Sequence, residues 1–177
     1  MNSLLFIMVE GNDDERFFNK VICPLLEEDY KNIIIWQHAQ KSRETVEKMF
    51  LSMEDLEADY IYVEDLDHEK NIAAKKTIIL NKVDYINKER IVIVVKEIES
   101  WYLAGINQED ASLMEIPYIE NTENIFKEDF NSMVHKSQYD SRINLMQKLL
   151  KCFSVQAALQ KNSSFALFHE NFIEDKR

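Results

Sequence analysis

The sequence predicts an α/β protein: a four-stranded parallel, Rossmann-like sheet flanked by helices, followed by a helical C-terminal extension. Three observations predict it. Over the first hundred residues short apolar runs alternate with amphipathic stretches, in the order strand, helix, strand, helix, strand, helix, strand, the pattern of a parallel sheet with right-handed crossovers. From Glu97 onward no segment reads as a strand. The chain has 177 residues, 46% hydrophobic and 30% charged, globular values that allow a real core without disulfides or a structural metal.

Each element has its own reason. Ser3 to Val9 (SLLFIMV) is too short and too continuously apolar for a surface helix, and reads as a strand buried on both faces. Asn12 or Asp13 can cap a helix running to about Glu28, whose apolar positions Phe17, Phe18, Val21, Ile22, Leu25 and Leu26 follow the 3.6-residue period, with Pro24 as a kink or an early stop. Ile33 to Trp36 is a second strand. Ser42 to Leu56 is a second helix, with Val46, Met49, Phe50 and Met53 on one side. Asp59 to Val63 is a third strand, Glu69 to Ile86 a third helix and Arg90 to Val95 a fourth strand.

Beyond that point helices are expected at Ile98 to Ala104, Gln108 to Met114, Glu123 to Met133, Tyr139 to Phe153, Val155 to Lys161 and Ser164 to Phe172. Asn107, Thr122, Ser137, Ser154 and Ser163 are the candidate caps, and Glu115 to Asn121, with Pro117, is a loop. Residues 1–105 are thus read as the α/β core and residues 106–177 as a helical extension packed on it, because short helices rarely stand alone.

Composition excludes several functions. Two glycines, Gly11 and Gly105, cannot write a GxGxxG dinucleotide loop or a GxxxxGK phosphate loop. Cys23 and Cys152 stand singly, which does not support a zinc cage and reads as buried small hydrophobes in a reducing compartment. His38, His68, His135 and His169 form no pair at ligand spacing. A net charge of −11 argues against nucleic-acid binding by bulk electrostatics. The charge is uneven, however: between Asn131 and His169 the balance is +4, from Lys136, Arg142, Lys148, Lys151 and Lys161 against Asp140. Arg142, Lys148 and Lys151 are therefore the candidate nucleic-acid contacts, against the plainer reading of solvated helix lysines. The opening MNSLLFIMVEG has no basic start and no run approaches a membrane span, so a cytoplasmic protein without membrane contact is expected.

The acids carry the functional signal. In an open parallel sheet, ligands bind beyond the carboxyl ends of the strands. The first strand ends in Glu10-Gly11-Asn12-Asp13-Asp14, the third in Glu64-Asp65-Leu66-Asp67 and the fourth in Lys96-Glu97-Ile98-Glu99. Single clusters of this kind cap helices, but three on one rim would repel one another unless a cation is bound, and a hard divalent ion such as Mg²⁺ or Mn²⁺ suits carboxylate oxygens. Asp65 and Asp67 can face one ion only if the chain leaves extended geometry between them. Gly11 is expected to permit a sharp turn and a close substrate approach.

VEGNDDERFF followed by YIYVEDLD resembles the TOPRIM pattern, a Glu-Gly after the first strand and an Asp-x-Asp after the third, found in topoisomerases, bacterial primases and OLD-type nucleases. KEIESWYLAG and the closing NSSFALFHENF are similar to stretches of a small stand-alone TOPRIM-like group. The resemblance implies a TOPRIM-like sheet, with Glu10 as general acid or base and possible metal ligand. It further implies Asp65 and Asp67 as Mg²⁺ ligands, Asp14 at the acidic position after the Glu-Gly, and Glu99 as a further ligand or an orienting carboxylate supported by Glu97. Lys96 would neutralise phosphate charge or pair with an acid. Trp101 reads as a core anchor before a base-stacking platform.

The implied activity is metal-dependent phosphoryl transfer, most simply phosphodiester hydrolysis on nucleic acid, with a protein partner such as an ATPase. Two alternatives stay open. One is a non-catalytic regulatory or interaction subunit that keeps a TOPRIM-like shell. The other is a receiver-like phosphoacceptor using Asp13, Asp14, Asp65 and Lys96.

Overall fold

The computed structural model describes residues 4–174, so Ser3, placed above in the first strand, lies outside the described residues. Four strands, β1 (Leu4–Val9), β2 (Asn32–Gln37), β3 (Asp59–Asp65) and β4 (Ile91–Val94), form one parallel sheet in the order β2-β1-β3-β4. The helices are α1 (Asn12–Phe17), α2 (Cys23–Leu26), α3 (Arg43–Asp55), α4 (Ile72–Lys82), α5 (Glu99–Ala104), α6 (Gln108–Leu113), α7 (Lys127–Val134), α8 (Arg142–Lys151), α9 (Val155–Lys161) and α10 (Ser163–His169). The expected fold class, a four-stranded parallel sheet flanked by helices, is what the chain adopts. Two compact units divide it, one up to Ile93 and one from Val94 onward.

In the first unit β1 lies between β2 and β3, and Leu5 to Val9 are all buried, as a continuous apolar run requires of a central strand. Each such side chain contributes about 1.5–3 kcal/mol on burial. β2 stands at an edge and is only half-buried, with Ile34 on the surface. The register pairs Met8 with Trp36 on one side and with Tyr62 on the other. Carried two residues further, it sets Glu10 level with Glu64, and so 54 positions of sequence collapse to adjacent strands.

The helix after β1 starts and ends differently from the expectation. Its N-cap is Gly11, whose N–H is taken by the Asp14 carboxylate at 3.2 Å, rather than Asn12 or Asp13. Pro24 offers no N–H to the preceding turn, and a π-helical turn, Phe18–Ile22, precedes it, with the Cys23 N–H reaching back five residues to the Phe18 carbonyl. The helix then stops at Leu26 rather than Glu28. The third helix is shorter than its apolar pattern, beginning at Ile72 because the Asn71 side chain accepts the Ala74 N–H at 2.9 Å.

In the second unit every residue of α5 is buried. The Trp101 indole N–H donates to the Ser164 hydroxyl at 2.8 Å, and that hydroxyl donates to Asn162 at 2.8 Å. Phe165 meets the Trp101 ring edge-on at 5.2 Å and Phe168 lies 5.5 Å from it. The Glu-x-Trp and Ser-Phe-x-x-Phe stretches, 63 residues apart, are thus two halves of one core, and Trp101 is the anchor expected. The buried Lys161 ammonium donates to the carbonyls of Leu103 and Ile106, tying down the end of α5.

Several expected caps are replaced. Thr122 is buried against the Lys161 carbonyl, and α7 begins instead at Lys127, its preceding Phe126 N–H held by Asp129. Ser137 bonds back to the Val134 carbonyl, leaving Ser141 to cap α8, which runs only from Arg142 to Lys151. Asn162, not Ser163, caps α10, which passes into a π-helical turn at Glu170–Glu174. Asn107 and Ser154 cap as expected. Cys23 and Cys152 are free thiols, half-buried rather than fully buried.

The glycines are used unexpectedly. The chain bends at Glu10 and Gly11 as expected, but Gly11 has extended backbone, φ −156°, which any residue can adopt, and a Cβ there would meet nothing within 4 Å, so the bend does not need glycine and open space remains beside it. Gly105 is where a side chain cannot fit, since its Cβ would overlap the Phe153 ring. The left-handed positions are held instead by Glu57, Asp67, Tyr85, Lys96 and Glu115, with φ between 50° and 67°. Glu57 and Glu115 each close a helix C-terminus in the paired Schellman bonds, Ala58 to Met53 with Glu57 to Glu54, and Ile116 to Ala111 with Glu115 to Ser112. Both side chains are exposed. Glu57→Gly and Glu115→Gly should each raise stability by about 0.5–1 kcal/mol, as the left-handed penalty outweighs the glycine's entropy cost. A urea midpoint unchanged or lowered in both variants would refute this.

Candidate functional site

At the carboxyl ends of β1 and β3 the register brings the acids of the first unit together. The Glu10 carboxylate accepts the Asp65 backbone N–H at 3.0 Å. Past Asp65 the chain turns, because Asp67 takes a left-handed backbone with φ 52°. That departure from extended geometry is what two carboxylates two residues apart need to face one point, and Asp65 and Asp67 offer carboxylate oxygens within 4.8 Å of one another. Aspartate tolerates the left-handed region better than most residues. Asp65 is 8% exposed and Asp67 half-buried.

Lys75, which sequence reasoning passed over, reaches this cluster from α4. Its ammonium lies 3.0 Å from Asp67 and 3.3 Å from Glu64. Its place could have been read from Ile79, one helical turn on, which shares its buried face. Burial works against the lysine's charge, but the hydrogen bond to Asp67 and the two carboxylates outweigh it and hold its pKa above the ordinary value. Glu10 moves the other way for a carboxylate: burial raises its pKa, the Asp65 N–H opposes this, and repulsion from Glu64 and Asp67 adds to it. Four carboxylates, Glu10, Glu64, Asp65 and Asp67, thus gather at this edge, with the Lys75 ammonium paired to Glu64 and Asp67.

A buried polar chain leads away from Glu64. The Tyr62 hydroxyl donates to Glu64 at 2.9 Å, and His38 Nδ1 lies 3.2 Å from that hydroxyl, with its other nitrogen on the Val63 carbonyl at 3.0 Å. Burial lowers the His38 pKa, although the Val63 carbonyl resists, and raises that of Tyr62. The amino end of β3 offers a contrast. There the buried Asp59 is engaged by the Tyr30 hydroxyl and by Arg90 at 2.9 Å, a structural acid at the edge away from the site.

The remaining sequence candidates have partners of their own. Asp14 serves the Gly11 N–H, and Asp13 pairs with Arg16 at 2.6 Å. In the second unit Lys96, left-handed at φ 65°, sets its ammonium 4.8 Å from the centre of the Phe126 ring. Glu97 accepts the Lys127 N–H at the start of α7. Glu99 is 2% exposed and ion-paired with Arg142, whose guanidinium also donates to Asn131 at 3.2 Å. Lys148 and Lys151 are exposed on α8, opposite the buried Leu145, Met146, Leu149 and Leu150. Among the described residues no helix is long and apolar enough to cross a membrane.

Fold and site together define an α/β protein with an acidic cluster at the carboxyl edge of a parallel sheet. No protein-family model matches the sequence, and no curated protein matches it. Among solved structures the chain is similar to the C-terminal region of the Burkholderia pseudomallei OLD protein, with a TM-score of 0.55 and 14% identity over 98% of each chain. The likeness supports an OLD-related fold.

Glu10 gives a pH test of the site. Its folded-state pKa is raised above the unfolded value, so it withdraws stability as pH climbs from the unfolded value through the folded one. Glu10→Gln keeps an oxygen for the Asp65 N–H and carries no charge. In metal-free buffer the variant should show a higher urea midpoint than wild type at pH 7, and the gap should close below about pH 4. A gap that is constant across this range would show that Glu10 is not held in the way described.

Proposed function

We propose that the chain is a TOPRIM-like protein that binds Mg²⁺ or Mn²⁺ and catalyses phosphodiester hydrolysis on nucleic acid. The observation that carries this is the meeting of Glu10 with the Asp65 backbone beside the close Asp65 and Asp67 carboxylates. Hard oxygen donors of this kind, more numerous than the single ammonium among them, suit a divalent ion. Such an ion would supply Lewis acidity toward a phosphate oxygen. Asp65 and Asp67 would hold it. Glu10, whose pKa is already raised, would take a proton from the attacking water and return it to the leaving oxygen. Lys75 would hold Asp67 in place and moderate the local negative charge. The structural neighbour, a region of an OLD protein, and the sequence resemblance to OLD-type nucleases both support this reading.

A second reading has its own observation. Lys75 already neutralises part of the cluster, as it would in a non-catalytic interaction subunit that keeps the shell but has replaced the metal.

Metal binding separates the two. With Mg²⁺ or Mn²⁺ at ten times its dissociation constant, the melting temperature should rise by about 3 °C or more, and the Asp65→Asn, Asp67→Asn double variant should lose the rise. Nicking of plasmid DNA or cleavage of RNA under the same conditions should be lost with it. A flat wild-type curve joined to a rise in Lys75→Met would instead favour the subunit reading. Flat curves in both would sink the metal site.

A further inference from the structure

The same unit carries a constellation of opposite sign. After β2 the chain closes a turn, with the Lys41 N–H on the His38 carbonyl at 2.9 Å, and then enters the thirteen-residue helix α3. This turn, the start of α3 and the end of α4 enclose a cavity of about 60 Å³ lined by His38, Lys41, Arg43, Val46, Tyr62 and Lys82. Four of its eight lining residues, which also include Ala39 and Val83, can carry positive charge, in a chain whose net charge is −11.

The floor is already satisfied. His38 stacks on Tyr62 at 4.4 Å, and its nitrogens face the Val63 carbonyl and the Tyr62 hydroxyl. At the mouth the Arg43 charge is balanced by Glu47 at 2.6 Å and Asp84 at 2.9 Å. Lys41 and Lys82 make no ion pair among the described residues, although both line the cavity. Two exposed lysines that line one small, partly enclosed space can turn their ammonium groups onto one anion there, which would offset their mutual repulsion. The amino end of α3, with Ser42 as its cap, adds positive potential on the same side.

We propose that this cavity binds a terminal phosphate group, held between the Lys41 and Lys82 ammonium groups. Its size decides the class of ligand. Pockets that take a nucleobase or a drug-sized molecule hold roughly 300–1,000 Å³, so this one admits a single compact oxyanion entering end-on. An internal phosphodiester, which needs an exit on both sides, fits less well than the end of a nucleic acid, a nucleotide phosphate or inorganic phosphate. His38 directly follows β2, so the cavity stands on the same carboxyl edge of the sheet as Glu10 and Asp65. The inference does not require the acids to bind metal.

The test uses the full chain in EDTA, which silences any contribution from the acidic cluster. Millimolar inorganic phosphate, compared with chloride at equal ionic strength, should raise the melting temperature by roughly 2–4 °C. Lys41→Ala with Lys82→Ala, both at exposed positions, should lose the shift, and Lys41→Arg with Lys82→Arg should keep it. The Asp65→Asn, Asp67→Asn variant should also keep it, which separates failure of this site from failure of the metal site. No shift in wild type, or an equal shift in the double alanine variant, overturns the proposal. Titration with one oligonucleotide bearing either a 5′-phosphate or a 5′-hydroxyl then distinguishes the sources. A several-fold gain for the phosphorylated end that depends on the two lysines assigns the site to nucleic-acid termini. Equal binding of both ends, with the inorganic phosphate shift retained, assigns it to free phosphate.

Discussion

The hydrogen bond from the Asp65 backbone to the Glu10 carboxylate is the point on which the rest of the site depends. It exists because β1 and β3 are adjacent and parallel at a fixed register, which the buried pairs from Leu5–Asp59 to Met8–Tyr62 enforce. A slip of one residue would exchange the side chains packed on the two faces of β1, both of them buried, so the register is held by how each side chain fits its own face. The position of the acids is therefore set by the hydrophobic core, not by the acids themselves. Left to their own repulsion, four carboxylates would separate. They stay because β3 is anchored below them and because Lys75 offsets part of the charge.

The alternation of strands and helices was legible because buried parallel strands are short continuous apolar runs, and SLLFIMV, DYIYV and RIVIVV have no competing reading. Helix ends were legible only where one polar side chain could cap. Asn107 and Ser154 stood alone before their helices, whereas Ser137 and Ser141, or Asn162 and Ser163, offered two caps each, and the choice fell to tertiary bonds. The acids at strand ends could be read in order because they follow strands directly. The contacts of Lys75, His38 and Tyr62 could not, although the spacing to Ile79 sets Lys75 on the buried face of α4. Their meeting depends on how α4 and the turn after β2 fold over the sheet, and in sequence they look like a solvated lysine, a lone histidine and a strand tyrosine.

The second unit shows the same limit from the other side. Glu99 and Trp101 share one short helix, yet their surroundings differ. Trp101 is enclosed by Ser164, Phe165 and Phe168, while Glu99 is matched to Arg142 from α8. Arg142 had looked like part of a basic surface, but a guanidinium engaged by a buried carboxylate and an asparagine has few donors left for a phosphate. The electropositive character of that stretch rests on Lys148 and Lys151 instead.

The backbone at Asp67 records a ranking of needs. At φ 52° the peptide geometry there favours glycine, which would sit without strain, and the chain elsewhere shows that it tolerates glycine in extended backbone at position 11. A carboxylate nevertheless occupies the position. The side chain must therefore return more than the roughly 1 kcal/mol of conformational energy that it forfeits. Part of that return is visible in the contact with Lys75. Relaxing the backbone with glycine and keeping the ion pair with Lys75 are therefore opposed demands met at a single position.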